Sequence, residues 1–316
     1  MIIHDVEINS DIELLTPQSH ENVAIIPLKT KRNYLDILTL KKGMELDLVE
    51  VKECETSTVN TLIVKNNSVT PLILIDGEEV VGGDQNRIVN STTLIAPQSE
   101  TKISVSCTER GRWAYKNEFK SSEYIANYRT RHNKLHAMRS EMPVQNAVWS
   151  SIDCHENENE FSSPTSAMSE SYENKKVNLE EILKSFKIVD GQTGVLIIEN
   201  GDIKGFELLA NSEIYNEYHE KILKSYLIDS KIENSTFTIN LDEARIIIDN
   251  AINSSFEDKP SNGLEQAYEF ENENGFGKLY VYESELIHLS YFKKLEDNIN
   301  NETIFSNDDI KMDIRE

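Results

Sequence analysis

The chain reads Asp76-Gly-Glu-Glu-Val-Val-Gly-Gly-Asp-Gln-Asn-Arg87 and, after an extended segment, Val105-Ser-Cys-Thr-Glu-Arg-Gly-Arg-Trp113. Each of these two polar clusters is attached to the end of an apolar, β-rich run. Charged and amide side chains crowded around glycines are costly to bury, so they either face water or form a satisfied polar network. A network of this kind at strand ends is a common way to build a binding or catalytic pocket.

Short apolar runs around the two clusters predict strands in the first third of the chain. The runs are Val23–Leu28, Leu46–Val51, Thr61–Lys65, Leu72–Ile75, Arg87–Ile95 and Thr101–Ser106. Turn residues such as Asn66-Asn67-Ser68 and Gly82-Gly83 separate them. Short strands at this spacing favour an antiparallel sandwich or a barrel-like sheet.

The rest of the chain mixes helical and strand patterns. Residues 118–147 contain no glycine, and their charged and apolar residues are mixed at helical spacing, which predicts a helix. The segment Asp153–Ser163 is polar and acidic and predicts a loop. Asn200-Gly201 predicts a hairpin, and Ser212–Asp229 an amphipathic helix. The predicted fold class is therefore α+β, with a β-rich N-terminal sandwich-like sheet, a central helical segment and a mixed α/β C-terminal part.

Four segments follow from these patterns, and we expect them to form one composite domain. They are a β-rich part with both polar clusters (1–115), a helical segment with the acidic loop (116–188), a mixed α+β part (189–293) and a polar tail (294–316).

Composition excludes several classes of protein. Acidic residues outnumber basic ones by 55 to 32, giving a net charge of -23, and nonspecific nucleic-acid binding needs the opposite charge. The three cysteines form no Cys-x-x-Cys pair, which favours a reducing compartment. The N-terminal residues lack a signal-peptide pattern, and no apolar run approaches the ~20 residues that span a bilayer. We expect a cytoplasmic protein that binds neither nucleic acid nor membrane; the oligomeric state does not follow from the sequence.

Three carboxylates are candidate catalytic groups, namely Glu78, Glu79 and Glu109. Each could act as a general base or hold a divalent metal ion. In a strand Glu78 and Glu79 point to opposite faces, whereas in a turn they converge. The alternative interpretation is a solvated turn, because glutamates are mostly exposed.

Five residues are candidate ligand-binding groups, namely Gln85, Asn86, Arg87, Arg112 and Trp113. The planar guanidinium forks of Arg87 and Arg112 suit a phosphate or carboxylate, although an internal salt bridge to a nearby glutamate is an equal alternative. Trp113 is suited to stacking on a base, but large aromatic side chains more often anchor a core.

Two other features favour structural roles. Cys107 lies near arginines, but a nucleophilic cysteine needs a histidine base and none is near in sequence, so we interpret it as an inert core cysteine. His132 and His136 have the spacing of two zinc ligands on a helix, yet their neighbours are basic. We therefore interpret them as part of an exposed helix face.

The two clusters resemble the ARG and rhodanese-phosphatase-superfamily-associated protein domain family of prokaryotes, where ARG means ADP-ribosylglycohydrolase. Further segments fit the same pattern in the same order over residues 10–293. They are Gln145–Trp149, Ser163–Ala167, Gly191–Gly194, Gly205–Glu207, Leu223–Tyr226 with Asp229, and His288–Phe292. The family's name records its gene neighbours. The resemblance therefore implies ADP-ribose or NAD-derived nucleotides, in stress or anti-phage defence, and it provides no set of catalytic residues.

Two hypotheses follow. In the first, the protein binds an ADP-ribose-like or other NAD-derived nucleotide, with hydrolysis as an additional activity. Arg87 and Arg112 hold the pyrophosphate, Gln85 and Asn86 bind ribose or base, and a divalent metal is considered as a cofactor. In the second, it is a noncatalytic interaction or sensor module of a defence system, acting through operon-encoded proteins. The polar clusters are then a structural network, and the acidic surface engages a basic partner.

Overall fold

A computed structural model describes residues 2–3, 6–7, 12–31, 34–54 and 59–295, and it confirms the α+β class with a β-rich N-terminal part. The strands are β1 (Ile2–Ile3), β2 (Val6–Glu7), β3 (Glu13–Leu14), β4 (Gln18–His20), β5 (Val23–Lys29), β6 (Leu38–Thr39), β7 (Val49–Glu53), β8 (Thr61–Asn66), β9 (Leu72–Leu74), β10 (Glu78–Val81), β11 (Arg87–Val89), β12 (Thr93–Ile95), β13 (Ser99–Cys107), β14 (Lys120–Ile125), β15 (Gly194–Glu199), β16 (Asp202–Leu209), β17 (Phe256–Lys259), β18 (Gln266–Glu271), β19 (Gly275–Tyr282) and β20 (Glu285–Lys293). The helices are α1 (Leu40–Glu45), α2 (Tyr128–Arg139), α3 (Val144–Glu158), α4 (Met168–Leu183), α5 (Ser212–Leu227) and α6 (Leu241–Ile252).

The N-terminal part is built on a six-stranded antiparallel sheet in the order β14-β10-β11-β13-β8-β7. A small sheet, β12-β9-β6, packs with it, and one apolar cluster that includes Leu62, Val64, Leu74 and Val105 fills the space between them. The two end strands, β7 and β14, line the same cavity. The sheet is therefore curled, with its two edges facing a common opening.

The second sheet has nine strands in the order β17-β18-β19-β20-β16-β15-β5-β3, with β4 also pairing with β5. Most of its strands come from the C-terminal part, but β3 to β5 come from the start of the chain, so the run Val23–Leu28, expected in the N-terminal sheet, pairs instead with β15. The predicted hairpin at Asn200-Gly201 joins β15 to β16, and both residues have positive φ, 54° and 86°. One face of this sheet packs against α6 through residues such as Ile248 and Leu289. Its other face belongs to the largest apolar cluster, with α2 to α5.

The helix expected from residue 118 onward is wrong at its start. Residues Lys120–Ile125 form β14, which pairs with β10, and α2 begins only at Tyr128, where the Asn127 side chain accepts a hydrogen bond from the Thr130 backbone N–H. Pairing with a strand about 40 residues earlier decides the conformation of this segment, so local spacing misassigns it.

The acidic loop expected at Asp153–Ser163 is also wrong over most of its length. Helix α3 continues through it to Glu158. Ile152, His155 and Glu156 are buried on one side of this helix, so its polar sequence still presents a packed face. The next helix, α4, begins at Met168.

The predicted run Arg87–Ile95 divides into two strands of different sheets, β11 and β12. The side chain of Asn90, which lies between them, bonds to the hydroxyls of Ser104 and Ser106. In the part of the chain that is described, no helix is both long and apolar enough to cross a membrane. Residues 296–316, most of the predicted tail, lie outside the described residues.

Candidate functional site

Glu78 and Glu79 are neighbours on β10 and point to opposite sides of it, as expected for a strand. Glu78 is fully buried and pairs with Lys221 of α5 at 3.2 Å, and its second oxygen accepts a hydrogen bond from the Tyr218 hydroxyl at 2.9 Å. Glu78 therefore holds α5 against the curled sheet.

Glu79 is fully buried and has no ion-pair partner among the described residues. Its oxygens accept hydrogen bonds from the hydroxyls of Thr108 at 3.1 Å and Ser122 at 2.8 Å. Burial raises the pKa of Glu79 to about 7, and the negative charge of Glu109 adds to the effect. This carboxyl group therefore gains and loses a proton near neutral pH.

Glu109 and Arg112 form a clamp across the turn between β10 and β11. The guanidinium donates to one Glu109 oxygen at 2.6 and 2.8 Å. Its other hydrogen bonds, of 2.7 to 3.2 Å, go to the carbonyl oxygens of Gly82, Gly83 and Ala114 and to the side-chain oxygen of Asn86. Burial would raise the pKa of Glu109, but the guanidinium lowers it below the ordinary value. Every nitrogen of Arg112 thus already has a protein acceptor.

Gly82 and Gly83 allow this clamp to form. Their φ angles are 129° and 51°, in the region that favours glycine. The turn can therefore direct two successive carbonyl oxygens toward Arg112. The two glycines bind a guanidinium, which is the opposite of the phosphate cradle that backbone N–H groups would form.

Gln85, Asn86 and Arg87 belong to the same buried network. Gln85 donates to the Glu109 carbonyl oxygen at 2.8 Å, and Asn86 accepts from the Gly82 N–H at 3.1 Å. Arg87 is only 2% exposed and donates to the Gln85 side chain at 3.2 Å. Its Nε has no hydrogen-bond partner, so Arg87 retains unused donor capacity.

The structure therefore brings six of the eight candidate residues together. We name this set the signature network: Glu79, Gln85, Asn86, Arg87, Glu109 and Arg112. Glu78 faces α5 instead, and Trp113 is 61% exposed.

The two secondary motifs differ from each other. Cys107 is buried, and burial raises the pKa of its thiol, as expected for a core cysteine. The exposed face predicted for His132 is wrong: its ring is buried 4.8 Å from the ring of Phe276, and burial lowers its pKa to about 4. His136 is exposed.

A chain of buried ion pairs joins the curled sheet to the nine-stranded sheet, and sequence reasoning missed it. Asp76 pairs with Lys134, and Arg131 binds Glu207 through two hydrogen bonds of 2.6 and 3.0 Å. Glu207 also contacts His288 at 3.3 Å. Although burial opposes ionisation, the charge of Arg131 lowers the pKa of Glu207 to about 2. The i, i+3 spacing of two basic residues, Arg131 and Lys134, on one helix face was the available signal.

A second missed group lies between α3 and the end of α5. His155 Nδ1 is 2.6 Å from an Asp229 oxygen, and Asn127 donates to both oxygens of the same carboxylate at 2.8 and 2.9 Å. Asp229 belongs to the segments that carried the family resemblance, whereas no role was predicted for His155. The group ties α2, α3 and α5 together.

The largest cavity described, of about 800 Å³, lies beside the signature network. It is lined by α1, the residues from Asp47 to Glu53, the Gly83-Asp84 turn and the segment Tyr115–Glu123; we call it the acidic groove. Its carboxylates are Glu45, Asp47, Glu50, Glu53, Asp84, Glu118 and Glu123, and its basic residues are Lys41, Lys52 and Lys120. None of the eight candidate site residues lines it.

The described ranges contain no group of three or more His, Cys, Asp or Glu side chains arranged to hold a metal ion. The divalent cofactor considered from the sequence stays a prediction.

Comparison with known proteins identifies the family. The model of the ARG and Rhodanese-Phosphatase-superfamily-associated Protein domain matches residues 11–292. The chain belongs to this family, which confirms the resemblance carried by the two polar clusters. No curated protein and no solved structure matches the chain.

Proposed function

With membership of this family as the premise, we propose that the protein is a noncatalytic interaction module whose acidic groove binds a positively charged partner protein. The observation that carries the proposal is the contrast between the groove, which is open and rich in carboxylates, and the signature network, whose polar groups mostly bond to one another. The family's name, which records an association with other proteins, fits a protein partner, and the free cysteines fit a reducing compartment such as the cytoplasm.

The charge of the groove supports a cationic partner. Two of its three lysines are already paired, Lys41 with Glu123 at 2.7 Å and Lys52 with Glu50 at 2.8 Å. Four carboxylates form no ion pair within the described ranges, namely Glu45, Asp47, Asp84 and Glu118. A concave surface with one sign of charge concentrates ligands of the opposite sign.

The floor of the groove is apolar. Val49, Val51 and Phe119 belong to the core cluster of the curled sheet, Met44 packs against it, and all four line the cavity. A lysine or arginine side chain has an apolar stem and a charged head, so it can cover such a floor while its head reaches the acidic rim.

The test is a calorimetric titration of the protein with the cationic peptide Lys-Val-Lys-Val-Arg-Val-Lys. A counterpart in which glutamate replaces every lysine and arginine serves as the control peptide. The groove variant combines Glu45→Gln, Asp47→Asn and Glu118→Gln. The matched control removes three exposed carboxylates elsewhere, by Glu180→Gln, Glu233→Gln and Glu273→Gln. We expect the protein to bind the cationic peptide but not the glutamate peptide. The affinity for the cationic peptide should fall about tenfold in the groove variant and change little in the control variant. No binding, or equal losses in both variants, contradicts the proposal.

A nucleotide-binding function is the second candidate, because two observations favour it. Arg87 has an Nε without a partner and lies 3.7 Å from Glu53 of the groove wall. Tyr115 lines the groove and is 66% exposed, so its ring is available to stack on a base. Binding would require Glu53 to move so that Arg87 reached a phosphate.

This alternative predicts that ADP-ribose, NAD or a cyclic relative raises the melting temperature, with or without magnesium or manganese. The increase should be lost in Arg87→Ala. A saturable shift of this kind, together with no binding of the cationic peptide, would favour the nucleotide over the interaction module.

A further inference from the structure

We infer that the acidic groove receives its partner as an extended strand, which pairs with the free edge of β7 and continues the curled sheet. This inference rests on the proposed function and specifies the conformation of the partner. Addition of a strand to an exposed sheet edge is a recurring mode of peptide recognition, in which main-chain hydrogen bonds give affinity.

The backbone of β7 presents hydrogen-bonding groups to the groove. Strand β7 pairs with β8 alone among the described residues, and at its start the Asn67 N–H donates to the Leu48 carbonyl oxygen at 2.8 Å. Residues of an antiparallel pair direct their backbone groups alternately toward and away from the neighbouring strand. The N–H and C=O groups of Val49, Val51 and Glu53 therefore face away from β8.

The other end of the same sheet borders the same opening. Strand β14 is the opposite edge, and its residues Lys120, Ser121 and Glu123 line the groove. Helix α1 contacts both edge strands and covers part of the gap, where Lys41 pairs with Glu123. A strand seated on β7 would extend the sheet toward β14.

The edge of β7 lacks two of the usual protections against pairing. Natural edge strands are blunted by proline, bulges, charged side chains or a covering element; β7 has no proline and no bulge, although Lys52 lies on it and α1 covers part of its side. Strand β7 reads Val-Glu-Val-Lys-Glu and pairs with β8 in an unbroken register. Its alternation of buried valines and exposed charged residues matches a partner that alternates apolar residues with lysine or arginine.

The charge of the acidic groove favours another protein over residues 296–316 of this chain as the strand that occupies it. Residues 296–316 contain seven acidic residues and two basic ones, so they would meet the acidic groove with like charge.

The test is residue-resolved amide hydrogen exchange of the full chain by NMR, with and without the cationic peptide described above. The amides of Glu50 and Lys52 bond to β8 and should already be protected. Those of Val49, Val51 and Glu53 should become protected only when the peptide binds. Protection of these three amides in the free protein, or peptide binding that leaves them exposed, would overturn the inference.

A peptide methylated on alternate backbone nitrogens provides an independent measurement on the unaltered protein. Loss of its main-chain donors should weaken binding at least about fivefold, whereas charge attraction is unchanged. Val51→Pro removes one groove-facing donor of β7 and should also weaken the parent peptide. If the methylated and parent peptides bind equally, strand pairing is refuted while the acidic groove stands. If neither binds, the proposed function itself is refuted.

Discussion

The signature network and the acidic groove are adjacent, yet they treat their polar groups in opposite ways. In the network, Arg112 donates hydrogen bonds to Glu109 and to three backbone carbonyl oxygens, so its guanidinium is already bound by groups of the protein itself. In the groove, carboxylates such as Glu45 and Glu118 face an open cavity without an ion-pair partner among the described residues. The difference teaches that the most distinctive residues of this sequence stabilise the fold, whereas residues with no distinctive motif form the open surface.

The largest expected effect would test whether the buried charges hold the two sheets together. Arg131→Met leaves the buried carboxylate of Glu207 without its main partner, and we expect it to lower the free energy of unfolding by about 3–5 kcal/mol. Arg129→Met, two residues earlier on α2, removes only a partly exposed pair with Glu158 and should lower it by less than about 1 kcal/mol. Urea denaturation measures both; equal losses would contradict the account.

A second pair of arginines tests the network itself. Arg112→Leu leaves Glu109 and the turn carbonyl oxygens unsatisfied, and we expect a loss of about 3 kcal/mol. Arg110 lies two residues earlier, is 43% exposed and pairs with Asp153 at 2.9 Å, so Arg110→Leu should cost less than about 1 kcal/mol. A near-neutral Arg112→Leu would mean that this guanidinium is available to a ligand.

Glu79 gives the network a dependence on pH. Its pKa is about 7 in the folded protein and near 4.5 in the unfolded chain, so the folded state binds the proton first. Stability is therefore lost as pH rises from about 4.5 to about 7. Glu79→Gln removes this loss. The unfolding free energy of the variant relative to wild type should rise by about 2–3 kcal/mol between roughly pH 5 and pH 8.

The measurement for Glu79 is urea denaturation across this pH range. Glu118→Gln, an exposed carboxylate of the groove, serves as its control and should show no such change. A Glu79→Gln difference that is independent of pH would show that the carboxyl is ionised across this range, and would contradict the account.

The smallest effect is expected in the groove. The variant that combines Glu45→Gln, Asp47→Asn and Glu118→Gln changes exposed groups, so its unfolding free energy should stay within about 0.5 kcal/mol of wild type. Thermal and urea denaturation measure this. A large loss would show that these carboxylates serve the fold as the network does, and the comparison between the two regions would fail.

Local signals predicted much of the fold. The Asn200-Gly201 hairpin is confirmed, because the conformation of its turn depends only on these two residues, both of which adopt positive φ. The helix at Ser212–Leu227 is confirmed because one apolar stripe along it packs against the sheet. The strand Lys120–Ile125 could not be predicted in the same way, since its conformation follows from pairing with β10. Pairing with a strand distant in sequence produces no pattern in the local sequence that would predict it.

The site was predicted only as a set of residues. The sequence placed Glu109, Arg112 and the Gly82-Gly83 turn in two polar clusters at strand ends, and the structure brings these clusters together. It could not show whether Arg112 faces a ligand or the turn's own carbonyl oxygens, because φ values and burial decide that. The groove gave no signal at all, since its carboxylates come from segments that meet only in the folded protein.

The most direct test of the central claim is calorimetric titration of wild type and the groove variant with the cationic peptide and, separately, with ADP-ribose. The account predicts that wild type binds the peptide, that the groove variant binds it about tenfold more weakly, and that ADP-ribose gives no saturable heat. Saturable binding of ADP-ribose that is lost in Arg87→Ala, with no binding of the peptide, would contradict the account and make the signature network the ligand site.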